Sequence, residues 1–104
     1  MNEKIKRINK TTSYNERLLE RLKDPKEAAA YLNAALEDAD PRIFLVALKD
    51  VTEAHGGMTK LAKGTELNRE NLYRTLSIRG NPRLDSLVSI LEVLNLHISI
   101  EPAI

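Results

Sequence analysis

The sequence predicts an all-α fold: five helices, preceded by an N-terminal helical extension and followed by one short C-terminal β-strand. Three observations carry this. Apolar residues recur at three- and four-residue spacings over most of the 104-residue chain, the period of amphipathic helices. Two Asp-Pro pairs, Asp24-Pro25 and Asp40-Pro41, mark helix starts: the aspartate accepts otherwise unpaired N–H groups, and proline suits the first helical position. Only near the C-terminus does the period change, where Leu96, Ile98 and Ile100 alternate with His97, Ser99 and Glu101 as in a half-buried strand.

In chain order, residues 13–23 place Tyr14, Leu18 and Leu22 on one stripe of a short helix. After Asp24-Pro25, Glu27 completes a capping signature, and the helix buries Ala28, Leu32, Ala35, Leu36 and Ala39. The helix after Asp40-Pro41 uses Phe44, Ala47, Leu48 and Val51 as its core face and stops at Gly56-Gly57. Two short helices follow, about 58–65 and 69–77, and Gly80-Asn81-Pro82 breaks the chain. The helix from about 84 to 95 carries Leu84, Leu87, Val88, Leu91 and Leu94 on one face. Ile90 and Val93 lie off that stripe, so a second buried face is expected. A lone strand has no partner in a helical domain; it must pair with a second chain, the N-terminal segment or a binding partner. The expected division is a partner-binding extension over 1–23 and one domain over 24–104.

Composition narrows the function classes. Leu, Ile, Val and Phe make up 29 of the residues, enough for a packed core of one domain. No apolar run approaches the roughly 20 residues of a membrane-spanning helix. The first residues, MNEKIKRINKTTSYNER, carry charge without an apolar stretch, so no secretory leader and a cytoplasmic location are expected. Cysteine is absent. No nucleophile–base pair or metal-ligand spacing can be assembled, so no enzyme, cofactor or metal is expected. His55 reads as compensation for a helix C-terminus and His97 as the polar face of the strand. The acids Glu37, Asp38 and Asp40 read as a helix end and a cap.

The net charge of +1 hides a segregated pattern. Residues 1–23 carry +4, residues 24–40 carry −4, residues 41–57 balance, residues 58–83 carry +4, and the tail from 84 carries −3. Inside the basic block, residues 58–76 have the layout of a helix-turn-helix. Leu61 and Ala62 face inward, the small Ala62 permits a close crossing, Leu67 plugs the turn, and Asn68 caps the second helix. Leu72 and Leu76 continue inward, which turns Asn68, Arg69, Asn71, Tyr73 and Arg74 outward. Arginine bonds guanine bidentately and asparagine does the same with adenine. Thr59 and Lys60, at the start of the first helix, are placed for phosphates. One residue argues against DNA: the turn position four after Ala62 often takes positive φ, and here it is Glu66. A non-glycine residue in that conformation costs about 1 kcal/mol or more.

Together these stretches resemble a known family. Asp24-Pro25 with Ala29-Ala30-Tyr31-Leu32, Ala34-Ala35-Leu36-Glu37-Asp38, Gly57-Met58 with Leu61-Ala62, the run Asn68–Arg74, Gly80-Asn81-Pro82-Arg83-Leu84 and the ending Leu94–Ile100 resemble the addiction-module antidote proteins. These are HigA-like antitoxins with a Cro/CI-type (Xre) helix-turn-helix. The resemblance runs from Asp24 to Pro102; Glu66 and the first 23 residues depart from it. It implies a five-helix, lambda repressor-like DNA-binding domain that is homodimeric on palindromic double-stranded operator DNA. It also implies a co-encoded RelE/ParE-like toxin that the protein binds and silences, and autorepression of the shared operon.

A second apolar face coincides with the unpaired strand near the C-terminus. The dimer is therefore expected to use Ile90, Val93, Leu94, Ile98 and Ile100. The basic N-terminal segment and the helix after Asp24 are expected to supply toxin contacts. Two alternatives stand beside this reading: a stand-alone phage-type repressor, and a protein-interaction module that no longer binds DNA, for which Glu66 is the motive.

Overall fold

The first helix is not an appendage. The computed structural model describes residues 12–77 and 79–104, with the side chains of Thr12 and Ser13 excepted; the expected contacts of the first eleven residues lie outside the described residues. Among these there are six α-helices: α1 Thr12–Leu22, α2 Pro25–Leu36, α3 Arg42–Ala54, α4 Gly57–Gly64, α5 Arg69–Thr75 and α6 Leu84–Val93. Leu18 and Leu22 of α1 join the same hydrophobic core as residues of every other helix. Arg21 Nε meets Glu27 Oε1 at 3.3 Å, a contact from α1 to α2. Glu27 thus pairs outside its own helix, while Asp24 Oδ1 alone accepts the Lys26 N–H at 2.9 Å.

The all-α class holds, but the count of five helices and the C-terminal strand do not: the described residues form six helices and no strand. Residues 96–104 run without a ladder partner. Alternation records only that one side of an extended segment packs, and here Leu96 packs on the core alone. Its position is set by the end of α6. Asn95 takes φ +65°, the Asn95 N–H donates to Glu92 O at 3.0 Å, and the Leu96 N–H donates to Leu91 O at 2.8 Å. This is a Schellman termination, with Leu96 folded back toward Leu91.

α3 lies at the centre, packed against α1, α2 and α4. Leu45, Ala47, Leu48, Val51, Thr52 and Ala54 are buried, and Phe44, expected in the core face, is only partly so. The buried Thr52 hydroxyl donates to Leu48 O at 2.9 Å, so the helix itself satisfies it. Asp40 caps the helix as the sequence implies, its Oδ1 accepting the Arg42 N–H at 3.0 Å. His55 closes the helix, and its Nε2 lies 3.1 Å from Leu22 O. With that carbonyl as acceptor the ring nitrogen is the donor, so the histidine serves the end of α1.

Tyr31 of α2 donates to Asp50 Oδ2 of α3 at 2.6 Å. Burial pushes the Tyr31 hydroxyl above its usual range, and the bond to Asp50 adds to the shift. Burial also raises the Asp50 carboxyl, against the hydrogen bond from Tyr31.

Four apolar positions expected in the core sit outside it, among them Ala39, which lies beyond the end of α2 and is exposed. Leu36 is 61% exposed and Leu84 is 68% exposed, while Val88 is also exposed. On α6 the buried face is Ile90, Leu91 and Leu94, flanked by Leu87 and Val93. Leu87, Leu91 and Leu94 of the expected stripe do meet the core, together with Ile90 and Val93, and only its Leu84 and Val88 edge faces solvent.

Asp40 gives the acid limb of stability a definite sign. Side-chain hydrogen bonds from Arg42, then its backbone N–H, lower the carboxyl from 3.8 to about 2. A folded value below the unfolded one stabilises above pH 3.8, and that contribution is lost as pH falls toward 2. Denaturant midpoints measured above and below this window should fall less for Asp40→Asn than for wild type; an equal fall would refute the assignment.

Candidate nucleic-acid interface

The turn between α4 and α5 is built without strain. α4 ends at Gly64, and Thr65 is extended at φ −117°, ψ 171°. Thr65 Oγ1 accepts the Leu67 N–H at 3.2 Å, a local side-chain turn. Leu67 is partly buried against the core. Positive φ occurs only at Gly56, Gly57 and Asn95 among the described residues, so Glu66 does not adopt the conformation expected of it. The cost anticipated at Glu66 is therefore absent, and with it the motive for a module unable to bind DNA.

α4 itself is fixed at both ends by glycine. Gly56 at φ +105° supplies the left-handed step into the helix. At the other end, a Cβ on Gly64 would stand 2.9 Å from Val93 Cγ2 and 3.0 Å from Cγ1, so α4 meets α6 closely there and a larger residue would force Val93 or the helix end to shift. Leu61 is buried and Ala62 partly so, against the core that also takes Leu72 and Leu76.

α5 then presents its opposite face to solvent. Asn68, Arg69, Asn71, Tyr73 and Arg74 are all exposed, as are Thr59 and Lys60 on α4. Their side chains are not equally free. Asn68 Oδ1 accepts the Asn71 N–H at 2.7 Å, so this residue caps α5. The Arg69 guanidinium lies 5.9 Å from the Tyr73 ring centroid, and its Nη2 donates to Tyr73 Oη at 3.4 Å. Arg74 Nη2 pairs with Glu70 Oε1 at 3.2 Å. The aliphatic stem of Lys60 lies across Gly56, where its Cδ would be 2.6 Å from a Cβ.

Beside α5 runs a solvent-open groove of about 690 Å³. Asn71 and Arg74 line it from the helix, and Arg79, Asn81 and Arg83 line it from the following loop. Gly80 holds that loop close: a Cβ there would stand 2.6 Å from Thr75 O and 2.8 Å from Arg74 O. The Gly80 N–H donates to Ser77 O at 2.8 Å. Arg79 and Arg83 were visible in the sequence as part of the basic block, but not as members of the site. Gly80, read only as a chain breaker, was the signal that the loop folds back.

The residues expected at a dimer interface are dispersed. Ile90 and Leu94 are fully buried in this chain's own core, and Val93 packs against it. Only Ile98 and Ile100 remain exposed. The apolar surface that α6 does present is Leu84 with Val88.

α4, the turn at Thr65, α5 and the arginine-lined groove beside it together form the candidate interface. The family described as "probable addiction module antidote protein" matches residues 11–102, and the chain belongs to that family. It is also 32% identical over 82 residues to an uncharacterized protein of Haemophilus influenzae, covering 79% of this chain and 84% of that one. No solved structure gives a significant match. No helix among the described residues is long and apolar enough to cross a membrane.

The cap predicts how Asn68 responds to substitution. Asn68→Ala should lower stability by about 1 kcal/mol, whereas Asn68→Asp or Asn68→Ser should retain most of it. Thermal melts of the three variants measure this; equal stability of all three would remove the capping role.

Proposed function

We propose that this chain is the antitoxin of a toxin–antitoxin module: a cytoplasmic, non-enzymatic homodimer that binds operator DNA, represses its own operon and neutralises a RelE/ParE-like toxin. Family membership supports the antidote role, and an antidote presupposes a toxin. The observation that carries the DNA reading is the continuity between the outward face of α5 and the groove lined by Arg74, Arg79 and Arg83. In this reading α5 enters the major groove. Arg69 and Asn71 reach base edges, Tyr73 and Arg74 reach bases or phosphates, and Asn68 keeps its amide N–H₂ for a nearby acceptor. Arg79 and Arg83 extend the phosphate contacts beyond the helix, while Thr59 and Lys60 meet phosphates at the start of α4.

The Glu70–Arg74 pair does not oppose this. Both side chains are largely exposed, and such i,i+4 pairs contribute only about 0.3–0.5 kcal/mol. A phosphate exchanges readily for that carboxylate. Two copies reading a palindrome would place their α5 helices about 34 Å apart, one turn of DNA.

Mobility shifts on the DNA upstream of the gene test the interface. Arg69→Ala and Arg74→Ala should each weaken specific binding by about 1–3 kcal/mol if they contact bases. Arg79→Ala and Arg83→Ala should weaken all sequences alike and lower the salt slope by about 1 each. Unchanged affinity in all four at moderate salt would discard the interface.

The dimer is tested independently. Sedimentation equilibrium should show a concentration-dependent dimer that Leu84→Glu with Val88→Glu dissociates, since these are the apolar side chains α6 leaves exposed. A strict monomer at high micromolar concentration would exclude it.

A further inference from the structure

A second groove, of about 160 Å³, shares no residue with the arginine-lined one. Leu32 and Leu36 of α2 form one wall, Phe44 enters from α3, and Ile98 and Glu101 come from the tail after α6. Leu36 follows Leu32 by four residues and so continues the buried stripe of α2, yet it opens into this groove. Ile98 is 46% exposed, and Ile100 nearby is 93% exposed. Contiguous apolar exposure on a chain this small marks an interaction surface.

Charge selects the occupant. The two acidic segments of the sequence, residues 24–40 and the tail from 84, supply two walls of this one groove. Glu101 lines it, and Glu37 and Asp38 follow directly on Leu36. None of these three carboxylates has an ion-pair partner among the described residues, whereas Asp40 nearby in sequence is taken by Arg42 at 2.8 Å. The lining contains no lysine or arginine. An apolar floor with Glu101 in its lining, and Glu37 and Asp38 next in the chain to its Leu36, complements a helix with aliphatic side chains on one face and cations beside them.

The geometry points to this groove as the docking site for a basic amphipathic helix of a protein partner. That partner's aliphatic side chains enter between Leu36 and Ile98, and its lysines or arginines pair with Glu37, Asp38 and Glu101. The inference deepens the antitoxin reading, on which it rests only for calling the partner the toxin.

The test uses the full chain and a fluorescent Leu/Lys amphipathic helical peptide, with a Leu/Glu peptide of the same pattern as control. Fluorescence anisotropy should show binding of the Leu/Lys peptide alone. Leu36→Asn should weaken it about tenfold, the value expected from losing one aliphatic contact. Glu37→Lys with Glu101→Lys should weaken it further and flatten its salt dependence. Leu36 is exposed, so the variant keeps its fold, and unchanged mobility shifts on DNA confirm this. Equal binding of both peptides, or of wild type and variants, overturns the proposal. So does dissociation of a dimer by Leu36→Asn, which makes a second copy the occupant. A gain in peptide affinity on removing residues 1–11 also overturns it, since this chain's own basic segment would then fill the groove. The assay uses neither operator nor toxin, so its failure is distinct from failure of the antitoxin reading.

Discussion

The close approach of α4 to α6 at Gly64 is the constraint on which the outward face of α5 depends. α5 is one of the shortest elements, and its stability comes from packing, because an isolated helix of seven residues does not persist in water. It packs on α4 and on the core through Leu72 and Leu76. Where α4 sits therefore fixes which side chains of α5 face solvent. α4 can sit against Val93 only because Gly64 has no side chain. Any larger residue there requires Val93 or the end of α4 to shift. A glycine that composition alone would assign to chain flexibility instead supplies close packing.

The same economy governs the charges. The cations of α5 are not held apart in solvent but lie in two i,i+4 pairs, Arg69 with Tyr73 and Glu70 with Arg74. These contacts limit the rotamers without binding the guanidinium groups tightly, since each is worth only a few tenths of a kcal/mol at an exposed site. Arg79 and Arg83 are brought to the same groove by backbone geometry at Gly80, which costs no side-chain contact. Arg74, Arg79 and Arg83 thus line one groove although they are spread along the sequence. The net charge of +1 describes none of this; at a Debye length near 10 Å a partner responds to the local cluster and not to the sum.

Much of the fold was legible because its signals are local. The Asp24 and Asp40 caps, the Asn68 cap, the glycine stop before α4 and the inward Leu61, Leu72 and Leu76 follow from hydrogen-bonding chemistry and the helical period. Thr59, Lys60, Arg69, Asn71, Tyr73 and Arg74 were legible as outward positions by the same logic. What failed required knowledge of neighbours. The period of α6 puts Leu84, Leu87, Val88, Leu91 and Leu94 on one stripe, but only the tertiary arrangement decides that Leu91 and Leu94 meet the core while Leu84 and Val88 stay in solvent. Leu36 has the spacing of a buried residue, and it lies exposed because none of the described elements covers the end of α2. The alternation after Leu94 looked like a strand, yet a strand exists only with a ladder partner; the left-handed Asn95 and the return of Leu96 to Leu91 account for the same pattern. Glu66 was judged by an expected turn, and the Thr65 hydroxyl supplies a different one.

α6 relates the two grooves to each other. Its first turn contributes Asp85 and Ser86 to the arginine-lined groove, and Leu91, two turns on, lines the apolar one. Between them Ile90 is fully buried, and Leu94 locks the end of the helix into the core. The grooves share no side chain, so an occupant of one does not compete for contacts with an occupant of the other. A ligand shifts a second site only through differential affinity for two states of the protein. The two grooves are thus built from different residues, and α6, packed in the core between them, is the element that contributes to both.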